Sequence, residues 1–181
     1  LEEQLQHIKP QAYHSYGMTE TLTHVAIRTL NGPDRSEAFQ ALPGVHFTTD
    51  ERDCLGIQAP HIRGKVQTND VVRLYTPGRF QWLGRADHVI NSGGVKLHPE
   101  RIEARIAGLM PAPFALVGKP DKNLGQQLTL VLESAPMPEK KAQKLLKTIA
   151  TYVHAYERPK AIIYKDAFPR TASGKIKRAA L

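Results

Sequence analysis

The apolar pattern of this chain changes character once, near Arg85-Ala-Asp87, and that change limits what the chain can fold into. Before it, residues 45–48, 54–58, 71–74 and 80–83 are short apolar runs separated by turn signals. Residues 23–29 form a further strand candidate, and Asn31-Gly-Pro-Asp and Pro77-Gly-Arg are turns. Regular short strands of this kind predict an antiparallel sheet or small barrel. After the change, strands alternate with helices. Residues 89–91 and 95–97 flank Ser92-Gly93-Gly94 as a hairpin. Pro99 opens a helix with Ile102, Ile106 and Leu109 on one face. Residues 114–117 and 128–133 are strands, and residues 161–164 form a last one. Pro138 opens a second helix with Ala142, Leu145, Leu146, Ile149, Tyr152 and Val153 on one side. The order βαββαβ predicts a small α+β unit.

Charge divides the chain too. Residues 135–181 hold 11 Lys/Arg and 3 Asp/Glu, while residues 1–134 hold 14 of each, so the whole net charge of +8 lies in the last quarter. Such a patch attracts anions. A solvated helix face with a basic tail, a site for nucleotide or CoA phosphates, and a nucleic-acid surface all fit that charge. The last fits least, because the segment is expected to expose no aromatics for stacking and has neither a zinc pattern nor a helix-turn-helix pattern. One cysteine, Cys54, excludes an internal disulfide. The eight histidines show no metal-ligand spacing; His24 and Thr21 are candidates to reach an acyl pocket. No apolar run approaches the roughly 20 residues of a membrane helix, and residues 1–6 have no signal-peptide pattern. The expectation is a cytoplasmic protein with no membrane and no nucleic-acid partner.

Three segments carry chemistry. Ser15-Tyr-Gly-Met-Thr-Glu-Thr21 offers a hydroxyl and a carboxylate on a turn. Gly84-Arg-Ala-Asp-His-Val-Ile-Asn-Ser-Gly-Gly-Val-Lys96 follows Thr68-Asn-Asp70. Pro169-Arg-Thr-Ala-Ser-Gly-Lys-Ile-Lys-Arg178 puts a lysine after a loop of small residues. Small residues let a backbone bend tightly and approach a ligand. Lysine is a compact point charge suited to an anion.

In this order, these segments resemble the adenylate-forming superfamily of acyl-CoA synthetases, peptide-synthetase adenylation domains and luciferases. The resemblance implies an α+β chain. Residues 1–86 would be the β-rich end of a larger amino-terminal AMP-binding domain, and residues 87–181 a small mobile α/β lid. Members carry an ATP-phosphate loop upstream of the Tyr-Gly-Met-Thr-Glu motif. Nothing before Tyr16 matches it, and Gly-Lys at 64–65, 118–119 and 174–175 is never followed by Ser or Thr. The chain, starting at Leu1, thus reads as the carboxy-terminal portion of an adenylating enzyme that lacks its amino-terminal part, and alone it is expected to be inactive.

The resemblance also assigns residues. Thr19 would contact phosphate and Glu20 would bind magnesium through oxygen. Tyr16 would lie against adenine, Gly17 would belong to the same nucleotide site, and Asp70 and Arg85 would hold the ribose. Asp87 would be the hinge between two lid arrangements. Gly93 and Gly94 would line the channel for the pantetheine arm of CoA, and Lys96 is either a CoA phosphate contact or a surface lysine. Lys175 would bridge the acyl carboxylate and the α-phosphate, stabilising charge in the transition state. An Asx-turn at Asp70, a plain turn at Asp87 and a plain hairpin at Gly93-Gly94 are the structural alternatives.

The implied substrates are a carboxylic acid, ATP and CoA, with AMP and pyrophosphate as products. Roughly residues 13–178 are most similar to o-succinylbenzoate–CoA ligases of menaquinone biosynthesis. Gly64-Lys-Val-Gln departs from the Gly-Trp common before the Thr-x-Asp motif. Another aryl or fatty acid, or a non-catalytic piece that binds nucleotide or CoA, are the alternatives.

Overall fold

The structure, a computed structural model, describes residues 5–181; the sequence reading of residues 1–4 lies outside them. The chain divides into two compact units, Leu1–Ala86 and Asp87–Leu181.

The first unit holds seven strands: β1 (Tyr13–Gly17), β2 (His24–Thr29), β3 (Ala38–Ala41), β4 (His46–Thr49), β5 (Cys54–Gln58), β6 (Val66–Thr76) and β7 (Arg79–Arg85). They form one antiparallel sheet in the order β1-β2-β3-β7-β6-β5-β4. In a flat sheet, the four steps from β1 to β6 would separate their backbones by roughly 19 Å. Yet the Tyr16 hydroxyl on β1 donates to Asp70 Oδ2 on β6 at 2.5 Å. The sheet therefore curls strongly, although its path leaves β1 and β4 as open edges.

Aromatic packing fills the curl. Phe80 is fully buried and stacks on Phe39 at 5.4 Å, with Phe47 at 4.9 Å and Tyr16 at 5.2 Å edge-on. Val25, Leu55, Ile57 and Val72 complete the core.

One sequence expectation fails here. The Asx-turn alternative at Asp70 is not what forms: β6 runs through Thr68-Asn69-Asp70 unbroken. Thr68 and Asp70 are buried while Gln67 and Asn69 are exposed, so the period of two is present. It is written in polar residues, which hides it from a hydrophobicity pattern.

The second unit holds β8 (Ile90–Ser92), β9 (Val95–Leu97), α1 (Pro99–Ile106), β10 (Phe114–Asp121), β11 (Gly125–Glu133), α2 (Glu139–Ile149) and β12 (Ala161–Lys165). The opening hairpin thus adds a strand to the expected βαββαβ order. β11 is central: β10 pairs antiparallel along its whole length on one side. On the other side β12 pairs parallel with Thr129–Glu133, and β8 touches Gly125.

Alternation along β11 gives the sheet two covered faces. Leu128, Leu130 and Leu132 pack with Ile102 and Ile106 of α1 and Ile149 of α2. Val131 packs with Ala115 and Val117 under Phe168 and Leu181 of the carboxy-terminal segment. α1, at eight residues, is too short to persist alone, so burial of Ile102 and Ile106 holds it. α2 ends at Ile149, four residues short of the apolar face read to Val153. Past Ile149 the chain turns, so Val153 stays buried while Tyr152, expected inside, is 54% exposed; with Tyr156 at 58%, the basic segment does expose aromatics, against expectation. Among the described residues no helix is long and apolar enough to cross a membrane.

Candidate functional site

In the first unit, three of the expected nucleotide residues converge. Asp70 and Arg85 face each other across β6 and β7. The curl of the sheet brings Tyr16 onto the Asp70 carboxylate. The Asp70 amide donates to Thr68 Oγ1 at 3.0 Å, which fixes the strand beneath. Burial, and then the hydrogen bond to the negative Asp70, pushes the Tyr16 phenol far above its ordinary value. Tyr16 is therefore a permanent donor and Asp70 its acceptor. A carboxylate has about four lone-pair sites, and Tyr16 donates to one oxygen of Asp70. Tyr16 also serves the core, through its ring contacts with Phe80 and Phe39 at 5.2 and 5.6 Å.

The strand carrying Tyr16 ends in a short 3-10 turn, Thr19–Thr21. Thr21 is fully buried, and its hydroxyl accepts from the Met18 amide at 3.0 Å and donates to the Thr23 carbonyl at 2.7 Å. The His61 ring bonds the Thr21 carbonyl at 3.1 Å. Thr21, a candidate to reach an acyl pocket, thus spends its hydroxyl on locking the turn. Its partner in that expectation, His24, is exposed and bonds Thr23 Oγ1 at 3.3 Å. With the turn locked, Thr19 and Glu20 project outward, exposed. Among the described residues no side chain engages either, which leaves a hydroxyl and a carboxylate available to a phosphate and a hard cation. Gly17 also meets a packing demand. A Cβ there would lie 2.6 Å from the Thr23 carbonyl oxygen and 2.7 Å from His24 Cα, so glycine is needed where β1 bulges against β2.

Asp87 is exposed, in a 3-10 turn Ala86–His88. Its neighbour His88 bonds Glu100 of α1 through Nδ1, so the turn is braced on the helix that follows it. No spacing signal in the sequence marks this contact, since the two residues lie 12 positions apart. A groove of about 230 Å³ runs from Asp87 and His88 past Gln126 to Arg178.

Gly93 and Gly94 form the two-residue turn of the β8–β9 hairpin, with φ of 58° and 83°. That is the primed-turn geometry glycine makes easy. The Gly93 amide donates to the Leu124 carbonyl at 2.9 Å, which ties the turn to the start of β11. A Cβ on Gly94 would meet nothing within 4 Å, so its surface is open. Lys96, on β9, is exposed.

Lys175 sits in a tight hairpin. Arg170 pairs with Ile176, the Thr171 amide donates to the Lys175 carbonyl at 2.8 Å, and the Lys175 amide donates to Thr171 Oγ1 at 3.1 Å. Gly174 supplies the φ of 81° that closes the bend. The lysine side chain is exposed. The segment is not the loose basic tail that its composition allows. Arg170 pairs with Glu133 at 2.6 Å, and Arg178 is bidentate to Glu103 at 2.6 and 2.9 Å. The Gly93-Gly94 turn is tied near Gly125 and the lysine hairpin near Glu133, at opposite ends of β11. Eight residues of strand separate these anchors by about 26 Å.

No family profile matches the chain. The 2-succinylbenzoate–CoA ligase of Lactococcus lactis is 30% identical over 187 residues, covering 93% of this chain and 41% of that protein. An AMP-forming acyl-CoA synthetase/AMP-acid ligase II-like protein from Dyadobacter fermentans is 43% identical, with TM-score 0.52 over 99% of this chain and 52% of that one. The o-succinylbenzoate CoA synthetase of Bacillus subtilis, solved with its acyl-adenylate, has TM-score 0.78 at 21% identity, over 98% of this chain and 42% of that one, and so speaks to the fold. Other relatives are named for fatty acids and for an acyl-carrier-protein acceptor. The chain spans about half or less of these proteins. Its homologues are AMP-binding acyl-CoA ligases, and its fold is that of the carboxy-terminal portion of adenylate-forming enzymes.

Proposed function

We propose that this chain is the carboxy-terminal portion of an AMP-forming acid–CoA ligase, with o-succinylbenzoate as the first candidate acid. The observation that carries the reading is the convergence of Tyr16, Asp70 and Arg85, with the exposed Thr19 and Glu20 following Tyr16 on the adjoining turn. Tyr16 and Asp70, 54 residues apart in sequence, meet there over an apolar core, with Arg85 across the ladder from Asp70. The name of the Lactococcus relative supports the substrate.

In this reading each residue has one task. Asp70 accepts from the ribose hydroxyls while Tyr16 holds its carboxylate in place, and Arg85 lies across the ladder as a second contact. Thr19 donates to phosphate. Glu20 offers oxygen to magnesium, which supplies charge neutralisation on the phosphates when bound. Lys175 places its ammonium between the acyl carboxylate and the α-phosphate, where negative charge concentrates as the carboxylate oxygen attacks and pyrophosphate leaves. In the second half-reaction the CoA thiolate attacks the acyl carbon and AMP leaves. The Gly93-Gly94 turn lines the pantetheine path, with Lys96 beside it. Because the lysine hairpin and the glycine turn occupy opposite ends of β11, one pose of the lid about Asp87 serves each step. The setting is cytoplasmic.

The test uses the complete enzyme with ATP, magnesium, CoA and a panel of aryl and fatty acids, read by mass spectrometry. A dominant o-succinylbenzoyl thioester supports the substrate. A thioester of another acid keeps the reaction and replaces the acid. No thioester from any acid contradicts the reading.

A further inference from the structure

We infer that two arginine–glutamate clamps, Arg170–Glu133 and Arg178–Glu103, act as positioning pairs that set where Lys175 delivers its charge. The inference rests on the reading of Lys175 given above.

Backbone bonds close the lysine hairpin, from the Thr171 amide to the Lys175 carbonyl at 2.8 Å and from the Gly174 amide to the Thr171 carbonyl at 2.9 Å, but they do not fix where the loop stands on the sheet. Thr171, Ala172, Ser173, Gly174 and Lys175 are all exposed, and glycine lowers the stiffness of the bend further. Inside the hairpin the side-chain bonds are the Thr171–Ser173 hydroxyl contact at 2.9 Å and the Lys175 amide to Thr171. Apolar anchorage comes before and after it, at the buried Phe168 and Leu181, with Ile176 only partly buried. Contacts outside the loop must fix where its tip stands.

Arg170 is placed to do so. Its Nη2 donates to Glu133 Oε2 at 2.6 Å, and its Nη1 reaches the Gly174 carbonyl at 3.4 Å. That carbonyl belongs to the peptide bond whose nitrogen is Lys175. One guanidinium therefore joins the end of β11 to the backbone of the catalytic candidate. Glu133 cannot swing away, because its other oxygen accepts the Phe168 amide at 2.6 Å.

Arg178 does the same behind the lysine. It donates twice to Glu103 of α1 and once, at 2.6 Å, to the Leu116 carbonyl of β10. Glu103 in turn accepts the Leu116 amide at 2.6 Å. Both clamps use the planar fork of arginine, which a lysine ammonium cannot reproduce. An isolated surface ion pair is worth little. These two are parts of networks that also bind backbone, so their effect is on geometry, and misplacing a reacting group by about 1 Å can cost roughly 100-fold in rate.

The test compares Glu133→Gln, Arg170→Lys and Glu103→Gln with Lys175→Ala in the complete enzyme, measuring the two half-reactions separately. The clamps predict that each variant lowers kcat for acyl-adenylate formation by about 10- to 100-fold. KM for ATP and acid, and thioester formation from supplied acyl-adenylate, should stay near wild type. Glu133→Gln combined with Arg170→Lys should be no worse than either alone. Equal loss in both half-reactions would mark a general structural role and overturn the inference. So would a rise in KM alone, or undiminished adenylation. Arg170 is half-exposed, so its variant tests the point even if Glu103→Gln fails to fold. If Lys175→Ala still forms the adenylate, the reading of Lys175 fails, separately from the clamps.

Discussion

The Tyr16 hydroxyl donates to the Asp70 carboxylate across four strand positions and 54 residues of sequence. This single bond records the curl of the first sheet and joins two of the residues assigned to the nucleotide. Replacing Tyr16 by Phe leaves the ring in the aromatic core but strips the buried carboxylate of its donor. The expected cost is about 1–3 kcal/mol in urea denaturation, together with a higher KM for ATP in the complete enzyme.

The same bond has a pH signature. Burial and Asp70 raise the Tyr16 phenol above its ordinary value. A group raised on folding stabilises below its unfolded pKa, about 10 for tyrosine. That contribution is lost as pH climbs from there towards the folded value, because only the unfolded chain releases the proton. Melting temperatures of wild type and Tyr16→Phe should keep a constant gap up to about pH 9.5, and the gap should shrink by about pH 11. A gap that persists unchanged would contradict the assignment.

Two glycines should respond differently to alanine. At Gly17 the new Cβ would collide with backbone of β2, so the turn holding Thr19 and Glu20 must shift. Gly17→Ala should lower stability and adenylation together. At Gly94 there is open space but a φ of 83°, so Gly94→Ala should cost about 1–2 kcal/mol of local strain. Its functional effect should fall on thioester formation. Equal behaviour of the two variants in both half-reactions would refute the separation.

Glu20 is exposed and makes no side-chain contact among the described residues, so Glu20→Gln should leave the melting curve within about 0.5 kcal/mol of wild type. The magnesium concentration needed for half-maximal adenylation should rise about 10-fold or more, since one charged oxygen ligand is lost. An unchanged magnesium titration would remove Glu20 from the site.

Phe80 is fully buried at the meeting point of three other aromatic rings. Phe80→Ala should cost about 3–5 kcal/mol of the first unit's stability, measured by denaturant unfolding. A loss under about 1 kcal/mol would mean the core is not packed as described.

The sequence pattern anticipated β5 at residues 54–58 and the Gly93-Gly94 hairpin because their signals are local: an apolar run between turns, and a glycine pair between strands. Thr68-Asn69-Asp70 hid inside β6 because its buried positions are polar. The end of α2 was overrun because apolar spacing continues to Val153 after the helix stops at Ile149. Of the candidate site, the residue types were legible but not their meetings. Tyr16 reaches Asp70 only through sheet curvature. Arg170 meets Glu133 over 37 residues and Arg178 meets Glu103 over 75, and nothing local in the sequence pairs one arginine with one glutamate at such separations.

The most direct test of the whole account is Lys175→Ala in the complete enzyme, with acyl-adenylate formation and thioester formation from supplied acyl-adenylate measured side by side. The account predicts that the first is abolished and the second continues at close to the wild-type rate. Loss of both together, or survival of the first, would contradict it.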